Sequence, residues 1–317
     1  MTRLLITRPM PRAVTERART DFAADIRDST APMAQDEMIA ALQDYDAVMP
    51  TLGDAFSAEI FAAVPRPRCR LLANFGVGYN HIDAEAARAA GIAVTNTPGA
   101  VTDATADIAL TLILMAARRA GEGERLVRSG QWEGWNPTQM LGCHVSGKRL
   151  GIVGMGRIGQ AIARRCHFGF GLQVSYIARS EKTLDFPATR ADSVQALAEA
   201  VDFLVVAVPG GAETRHMINA DVLAAMQPHA VLVNIARGEV IHEAALIDAL
   251  AQGAIGAAGL DVYEFEPQVP SDLRAMENVV LLPHLGTATE EVRSAMGHMA
   301  LDNVAALADG RDLPNPV

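Results

Sequence analysis

Three glycines at a fixed spacing mark a stretch of the chain that could bind a dinucleotide. Gly154, Gly156 and Gly159 fit the pattern G-x-G-x-x-G, with an apolar run at 150–153 before them and a helix-forming run at 160–165 after them. The first glycine permits a tight turn, the second lets the backbone approach a pyrophosphate, and the third lets helix and strand pack closely. A glycine-rich turn without a ligand is the alternative that the motif alone leaves open.

The residues that follow the next strand-like run bear on which dinucleotide is bound. An NAD site usually carries Asp or Glu about 20 residues after the glycines, where it binds the ribose 2′-hydroxyl. In this chain Ala178 stands there and is followed by Arg179, Ser180 and Lys182. A carboxylate would repel a 2′-phosphate, whereas these side chains would bind one. The pattern favours NADP(H) and still allows NAD(H), while a solvated basic loop is the alternative.

Three further segments place reactive side chains directly after apolar runs. The segments are Asn234–Gly238, Gly259–Pro267 and Pro283–Gly286. They contain Arg237, Glu266 and His284, whose side-chain types can bind anions and transfer protons. Because ligands of open α/β sheets bind at the carboxyl ends of strands, we expect all three segments to face one crevice.

The elements that would position these residues alternate between short apolar runs and longer amphipathic runs, which is typical of parallel α/β folds. The strand candidates of the first series are Leu4–Ile6, Ala47–Met49, Arg70–Asn74 and Ala93–Asn96. Those of the second series are Leu150–Val153, Gln173–Ile177, Phe203–Val206, Ala230–Ile235, Gly256–Leu260 and Val279–Leu282. The sequence therefore predicts an α/β protein with two doubly wound parallel sheets.

Three segments lie outside the two series. A long helix is predicted over Thr102–Arg119, and another, Thr289–Asp309, ends the chain without a following strand. Between the first helix and the second series, Gly121–Lys148 is predicted to be irregular and contains Trp132 and Trp135. Such a stretch is too long for a compact connection, so we expect it to have a function of its own.

Composition narrows the class of protein. The 317 residues suffice for roughly two domains, and 50% of them are hydrophobic. The net charge of −10 would repel phosphate backbones, so neither nucleic acid nor an anionic membrane is an expected partner. The three cysteines are widely spaced and the histidines form no ligand spacing, so we expect reduced thiols and no metal site. With no signal peptide in the sequence, we expect a cytoplasmic protein.

Taken together, the motifs resemble those of the D-isomer-specific 2-hydroxyacid dehydrogenase family, most closely its glyoxylate/hydroxypyruvate reductases. The resemblance covers essentially the whole chain. It is carried by Asn74–Asp83, Asn96–Thr105, the glycine motif, Asn234–Gly238, Gly259–Pro267 and Pro283–Gly286. It implies NADPH-dependent reduction of a small 2-keto acid, such as glyoxylate or hydroxypyruvate, to the D-2-hydroxy acid.

The resemblance also implies how the chain is organised. A substrate-binding, flavodoxin-like lobe would comprise residues 1–98 and 287–317. A Rossmann lobe for NAD(P), residues 99–286, would be inserted into it, with the active site between the two lobes. Residues 121–148 would form a dimerisation arm, so the expected partner besides the 2-keto or 2-hydroxy acid is a second copy of the chain.

Carried over by position, His284 resembles the family's acid/base, Glu266 its orienting carboxylate and Arg237 its substrate-binding cation. A carboxylate on one ring nitrogen fixes the tautomer of a histidine and stabilises its imidazolium, and an arginine binds a substrate carboxylate. The predicted substrate-binding residues besides Arg237 are Leu52, Gly76, Val77, Gly78 and Trp132. The three in the glycine turn would act through their backbone amides. Trp132 would reach the partner's pocket or, alternatively, pack on its own chain.

The implied cofactor site draws on several segments of the chain. Its residues are Thr105, Gly154, Gly156, Arg157, Ile158, Gly159, Arg179, Ser180, Lys182, Val208, Pro209, Thr214, Ile235, Ala236, Asp261 and Gly286. Asp261 resembles the acid near the nicotinamide carboxamide.

The same residues also distinguish between alternative functions that proteins of this fold can have. A 3-phosphoglycerate dehydrogenase, or another NAD-dependent member, is disfavoured by the missing acid at Ala178 and by the absence of regulatory domains. A phosphite dehydrogenase would have Lys near Val77, and a formate dehydrogenase would have Gln in place of Glu266. A nucleotide-sensing corepressor, which is a binding module, can keep the same triad. It is disfavoured only by the absence of basic or disordered extensions.

Overall fold

A computed structural model describes all residues, 1–317, and divides them into two compact units. The first unit consists of Met1–Val101 and Thr287–Val317, and the second is the continuous segment Thr102–Gly286. None of the helices combines the length and the apolar character that crossing a bilayer requires.

The first unit is built on a five-stranded parallel sheet with the order β2-β1-β3-β4-β5. Its strands are β1 (Arg3–Ile6), β2 (Ala23–Ile26), β3 (Ala47–Met49), β4 (Leu71–Ala73) and β5 (Ala93–Thr95). Its helices are α1 (Arg12–Asp21), α2 (Gln35–Asp44), α3 (Ala58–Ala62), α4 (Ala84–Ala89) and α12 (Glu290–Ala308). The central strands β3 and β4 are fully buried because apolar side chains point to both faces of the sheet.

The last helix, α12, completes one face of the first unit. It packs on α1 and β4, with Leu301 and Val304 in the core. Contact with α1 is close because α12 carries glycine at position 297, where a Cβ atom would lie 2.4 Å from Val14. Arg17 of α1 adds an ion pair to Asp302 at 2.6 Å. Helix α12, which no strand follows, thus packs on elements of the segment Met1–Val101.

The second unit is built on a seven-stranded parallel sheet with the order β12-β11-β10-β9-β6-β7-β8. Its strands are β6 (Arg149–Val153), β7 (Gln173–Ile177), β8 (Ala188–Arg190), β9 (Phe203–Val206), β10 (Val231–Asn234), β11 (Ala257–Leu260) and β12 (Val279–Leu281). Its helices are α5 (Thr102–Ala117), α6 (Ala120–Arg128), α7 (Arg157–Phe170), α8 (Val194–Ala200), α9 (Ala220–Ala225), α10 (Glu243–Ala251) and α11 (Ser271–Ala275). A short 3-10 helix, Gly238–Val240, precedes α10.

Two apolar clusters cover the faces of this second sheet. Alternate residues of β6 serve different faces, with Ile152 in one cluster and Val153 in the other. Helix α5 packs on α7, β10 and β11, and its Leu112 lies against Gly259, where a Cβ atom would come within 2.9 Å. The glycine in the strand therefore lets helix α5 approach the sheet closely.

The predicted fold class, two parallel-sheet α/β units, is confirmed, and each of the ten predicted strands is present within two residues of its expected ends. The prediction missed two strands, β2 and β8. It was wrong to treat all of 121–148 as irregular, because α6 occupies the first part of that stretch. Helix α6 forms despite Gly121 and Gly123, with an ion pair between Arg119 and Glu122 at 2.7 Å beside its start.

Candidate active site

The glycine motif forms a tight connection between β6 and α7. Gly154 has φ +101°, and a Cβ atom on it would lie 2.6 Å from the Ala207 carbonyl oxygen. A Cβ atom on Gly159 would lie 2.1 Å from the carbonyl oxygen of Gly154. Gly156 differs, because nothing lies within 4 Å of its Cβ position. Gly154 and Gly159 are thus needed for close packing within the chain, whereas the backbone of Gly156 is open to a ligand.

The first turn of α7 adds donors to this open backbone. Gly156 is the N-cap residue, no side chain caps the helix, and its first turn, which begins with Arg157 and Ile158, contains no acidic residue. The amides of a helix's first turn have no partner within the helix, and the positive end of its dipole favours anions. The residues present therefore fit the pyrophosphate of a dinucleotide.

The strand end that would contact the adenosine ribose is basic. Arg179 and Ser180 are exposed, and the Lys182 ammonium donates to the Ser180 hydroxyl at 2.9 Å. A further cation, which sequence reasoning missed, comes from the neighbouring strand β8, where Arg190 donates to the carbonyl oxygen of Ala178 at 3.0 Å. No carboxylate hydrogen-bonds to or pairs with Arg179, Lys182 or Arg190.

The loop after β9 lies against the glycine motif. A Cβ atom on Gly154 would come within 2.8 Å of the Val208 side chain, which places Val208 and Pro209 beside the dinucleotide turn. The Thr214 hydroxyl donates to the carbonyl oxygen of Pro209 at 2.7 Å, so its structural contact is with the loop itself. Of the predicted cofactor-lining residues in this loop, Val208 thus contacts the glycine motif directly.

The histidine and the carboxylate that the sequence singled out are hydrogen-bonded to each other. His284 Nδ1 lies 2.9 Å from Glu266 Oε2, and the side chains are 32% and 29% exposed. His284 Nε2 has no partner within the chain, so the ring is held at one nitrogen and open at the other. This is the arrangement that proton transfer to a ligand requires.

Glu266 is itself fixed by a second contact. Its Oε1 accepts the backbone N–H of Tyr263 at 3.0 Å. Burial raises the pKa of Glu266, but the hydrogen bond and charge of His284, with smaller contributions from Tyr263 and Arg237, outweigh burial and bring the pKa below its ordinary value. The carboxylate therefore stays ionised beside His284 in weakly acidic solution.

Arg237 lies in the turn after β10. Burial lowers its pKa, while the charges of Glu266 and Glu239 act in the opposite direction. Its turn is pressed against the segment that carries Glu266, since a Cβ atom on Gly238 would overlap the backbone of Tyr263 at 1.8 Å. The preceding Ile235 and Ala236 are buried at the carboxyl end of the strand. The structure thus places Arg237, Glu266 and His284 at one edge of the second sheet.

Asp261, Thr105 and Gly286 also meet at this edge. The Asp261 carboxylate accepts the backbone N–H groups of Leu285 at 2.6 Å and Gly286 at 2.8 Å, and its carbonyl oxygen accepts the N–H of His284 at 3.0 Å. The Thr105 hydroxyl donates to the Gly286 carbonyl oxygen at 3.1 Å. These residues therefore hold the turn in which His284 adopts a left-handed conformation, φ 55°.

A second histidine–carboxylate pair, which sequence reasoning missed, supports the segment that carries Glu266. His216 Nε2 lies 2.7 Å from Glu264 Oε1, and Glu264 is also joined to Glu243 by two backbone–carboxylate hydrogen bonds of 3.3 Å. Burial raises the pKa of Glu243, whereas in Glu264 the contacts with His216 outweigh burial and lower the pKa. The only sequence signal was the acid two residues before Glu266.

The predicted substrate-binding residues of the first unit lie on two adjacent loops. Leu52 follows β3, and its carbonyl oxygen accepts from Arg8 at 2.6 Å. The glycine turn follows β4. The backbone N–H of Phe75 donates to the carbonyl oxygen of Pro50 at 3.0 Å, and this hydrogen bond joins the two loops. The amide of Gly76 donates to the Asn74 carbonyl oxygen at 3.1 Å, so this predicted donor already has a partner within the turn.

The amides of Val77 and Gly78 fit the predicted donor role, because neither has a partner within the chain. Trp132 lies in the part of the arm that follows α6. It is 51% exposed, and its indole N–H donates to Gln139 at 3.4 Å. It therefore packs only partly on its own chain.

Comparison with known proteins gives a consistent result over the whole chain. Residues 110–286 match the family model described as "D-isomer specific 2-hydroxyacid dehydrogenase, NAD binding domain". The chain is 42% identical to a glyoxylate reductase of Thermococcus kodakarensis, over 99% of this chain and 96% of that protein. It is 35% identical to a glycerate dehydrogenase of Hyphomicrobium methylovorum, over 98% of this chain and 97% of that protein.

Solved structures give the same result for the fold. An NADPH-dependent glyoxylate/hydroxypyruvate reductase from Sinorhizobium meliloti, in complex with NADP and malonate, superposes with a TM-score of 0.89 at 36% identity, covering 100% of this chain and 96% of that one. A glyoxylate reductase from Paecilomyes thermophila superposes with a TM-score of 0.88 at 32% identity, covering 100% and 98%.

Proposed function

Because the chain belongs to the D-isomer specific 2-hydroxyacid dehydrogenase family, whose NAD-binding domain it contains, we propose that it reduces a small 2-keto acid to the D-2-hydroxy acid with NADPH. Glyoxylate and hydroxypyruvate are the proposed substrates. The observation that carries the proposal is the 2.9 Å contact between His284 Nδ1 and Glu266 Oε2, which leaves Nε2 open to a ligand.

Reduction of the keto group needs a hydride donor and a proton donor. A bound nicotinamide cofactor would supply the hydride that the carbonyl carbon of the substrate accepts. His284 Nε2 supplies the proton to the carbonyl oxygen, and Glu266 holds the ring and stabilises its charged form before transfer. The Arg237 guanidinium binds the substrate carboxylate and polarises the keto group. The first unit would contribute Leu52 and its free loop amides as the substrate-binding lobe, and the second unit would bind the cofactor.

A preference for NADPH rests on charge at the end of β7. Arg179, Ser180 and Lys182 present two cations and a hydroxyl where an NAD site usually has a carboxylate, and Arg190 adds a third cation. The reductase from Sinorhizobium meliloti is itself described as NADPH-dependent. We expect Arg179→Ala to raise the KM for NADPH about tenfold, as the loss of a charge-assisted contact would, and to leave the KM for NADH within twofold. An equal rise for both cofactors would contradict this assignment.

Self-association is proposed from the exposed apolar side chains of the arm. Val127, Trp132, Trp135 and Leu141 are 59%, 51%, 80% and 69% exposed, although residues of this kind are usually covered. We propose that a second copy of the chain covers them, with Trp132 directed to the partner. Light scattering should then give twice the chain mass, and Trp135→Ser should reduce it toward the monomer; a monomeric wild type would contradict the proposal.

The activity itself is tested with a panel of 2-keto acids assayed with NADPH and NADH side by side. Glyoxylate and hydroxypyruvate should be turned over with NADPH, and the product should be the D isomer wherever the 2-carbon is chiral. Binding of NADPH without turnover of any keto acid would instead favour a nucleotide-sensing binding protein.

A further inference from the structure

The glycine turn of the first unit is held by its carbonyl groups. Asn74 Nδ2 donates to the carbonyl oxygens of Gly76 at 3.0 Å and Gly78 at 3.1 Å. Asn96 Nδ2 donates to the carbonyl oxygen of Val77 at 2.9 Å. The two asparagines, called here the carbonyl clamp, therefore bind every carbonyl oxygen from 76 to 78.

By holding carbonyl groups, this clamp contributes to the direction in which the amides of the turn point. A peptide group is planar and trans, so its N–H points away from its C=O. The carbonyl group of Gly76 shares a peptide with the amide of Val77, and that of Val77 shares one with the amide of Gly78. The Gly76 carbonyl oxygen also accepts the backbone N–H of Thr97 at 3.0 Å, whereas the Val77 carbonyl oxygen is held by Asn96. With both carbonyl oxygens held in this way, both amides must face the opposite side, and neither amide has a partner within the chain.

The side-chain amide of an asparagine can donate two hydrogen bonds, and that of Asn74 is also buried. Asn74 is only 1% exposed, and its Oδ1 has no partner. The reverse orientation would turn Oδ1 toward two carbonyl oxygens, so the contacts with Gly76 and Gly78 determine which way the amide faces. An aspartate at either position would have no proton to donate and would repel the carbonyl oxygens.

We propose that Asn74 and Asn96 are positioning residues that direct the Val77 and Gly78 amides toward the carboxylate of the substrate. The inference rests on the proposed function, because it assigns a purpose to two amides that would bind a 2-keto acid. In this proposal the side chains of Asn74 and Asn96 touch neither substrate nor cofactor, but they determine the affinity for the substrate carboxylate.

The test compares Asn96→Ala and Asn96→Asp with Asn219→Ala. Asn219 caps α9 in the second unit through 3.1 Å bonds to two amides, so its loss lowers stability without affecting the clamp. In both Asn96 variants the KM for glyoxylate and the inhibition constant of malonate should rise about tenfold, which corresponds to ~1.4 kcal/mol. The kcat at saturation and the Kd of NADPH should stay within twofold of wild type, and Asn219→Ala should change none of these constants.

An unchanged malonate constant in both Asn96 variants, or a loss confined to kcat, would overturn the proposal. Direct titration with malonate in the presence of NADPH separates this outcome from failure of the proposed function. If the wild type reduces no keto acid but binds malonate, and Asn96→Asp weakens that binding, the clamp stands and the proposed reaction fails. A wild type that binds no malonate contradicts the clamp as well.

A second measurement avoids variants that fail to fold. Hydrogen–deuterium exchange followed by NMR should show fast exchange of the Val77 and Gly78 amides in the free wild type and slow exchange after malonate and NADPH are added. The Gly76 amide, which is bonded to Asn74, should exchange slowly in both states. Exchange at Val77 and Gly78 that is unaffected by malonate would overturn the proposal.

Discussion

Gly159 lies so close to Gly154 that a methyl group on Gly159 would be 2.1 Å from the carbonyl oxygen of Gly154. The obstacle is backbone, which cannot rotate away as a side chain can. We expect Gly159→Ala to lower the free energy of unfolding by about 1–3 kcal/mol and to weaken NADPH binding, because the turn must open. Urea unfolding and a fluorescence titration with NADPH measure the two effects.

Gly169 supplies the matched control in the same helix. Nothing lies within 4 Å of its Cβ position, and its φ is not positive. Gly169→Ala should be neutral or stabilise the protein by up to about 1 kcal/mol, because alanine loses less backbone entropy on folding. If the two variants behaved alike, the packing role assigned to Gly159 would be wrong.

His284→Ala should lower kcat about 10²- to 10⁴-fold, because proton transfer is lost, while the Kd of NADPH stays unchanged. His229→Ala is the matched control, since His229 also pairs with a carboxylate, Asp202, at 2.7 Å but precedes the amino end of its strand, whereas His284 follows the carboxyl end of β12. It should leave kcat within twofold of wild type. Steady-state kinetics of glyoxylate reduction decide the question, and a fully active His284→Ala enzyme would remove the assignment.

Glu266→Gln should keep the shape of the site and remove its charge. A glutamine can still contact Nδ1 of His284, but it no longer balances the positive charge that the ring carries when it acts as a proton donor. We expect kcat for glyoxylate reduction to fall while the Kd of NADPH stays unchanged, as steady-state kinetics and a fluorescence titration would measure. An unchanged kcat would mean that Glu266 acts only by packing.

The carboxylate of Asp261 should be required for the turn that carries His284. It accepts amides of Leu285 and Gly286, and an asparagine could accept only one of them and would turn its own N–H toward the other. Asp261→Asn should therefore cost about 1–3 kcal/mol of stability and lower kcat. The exposed Asp248 of α10 provides a control, since Asp248→Asn should change neither quantity. Thermal unfolding and kinetics on the same samples give both readings.

Stability at acidic pH should depend on Asp202. Burial raises its pKa, but hydrogen bonds from Arg149 and His229 outweigh burial and hold the pKa far below its ordinary value. A lowered pKa contributes stability above the unfolded-state value, near 4, and that contribution is lost as pH falls toward the folded-state value. Asp202→Asn should cost about 1–2 kcal/mol at pH 7, since Arg149 is half-exposed and solvent screens the pair. Urea unfolding from pH 7 to 3 should show the difference shrinking below about pH 4.

The central strands could be predicted from the sequence because they are apolar on both faces. β9, FLVV, is buried at every residue and was predicted to its exact ends. The missed strands are edge strands: β2 alternates between exposed and half-buried residues, and β8 is mostly exposed. Their side chains have the composition of loops, and only pairing with β1 or β7 makes them strands.

The candidate site could be predicted where a motif places several groups within a few residues. The pairing of His284 with Glu266 follows from two such motifs. Arg190 and His216 were missed because each acts through a partner distant in sequence, and in the case of Arg190 that partner is a backbone carbonyl oxygen. The occupied amide of Gly76 could not be foreseen, since it depends on how Asn74 closes the turn.

The first unit is built from two segments that are separated in the sequence by the whole second unit, and this order affects folding during synthesis on the ribosome. The segment 102–286 is continuous and can fold as soon as it has emerged. The first unit emerges earlier, but β1 and β4 lack the covering side chains Leu301 and Val304 until α12 follows. The edge of β5 is likewise closed only when the amide of Val317 reaches the carbonyl oxygen of Val94 at 3.1 Å. The first unit therefore completes its folding last, although its first strands are synthesised first. In a nascent chain that stops before α12, the sheet face that Leu301 and Val304 would cover stays exposed and can bind chaperones.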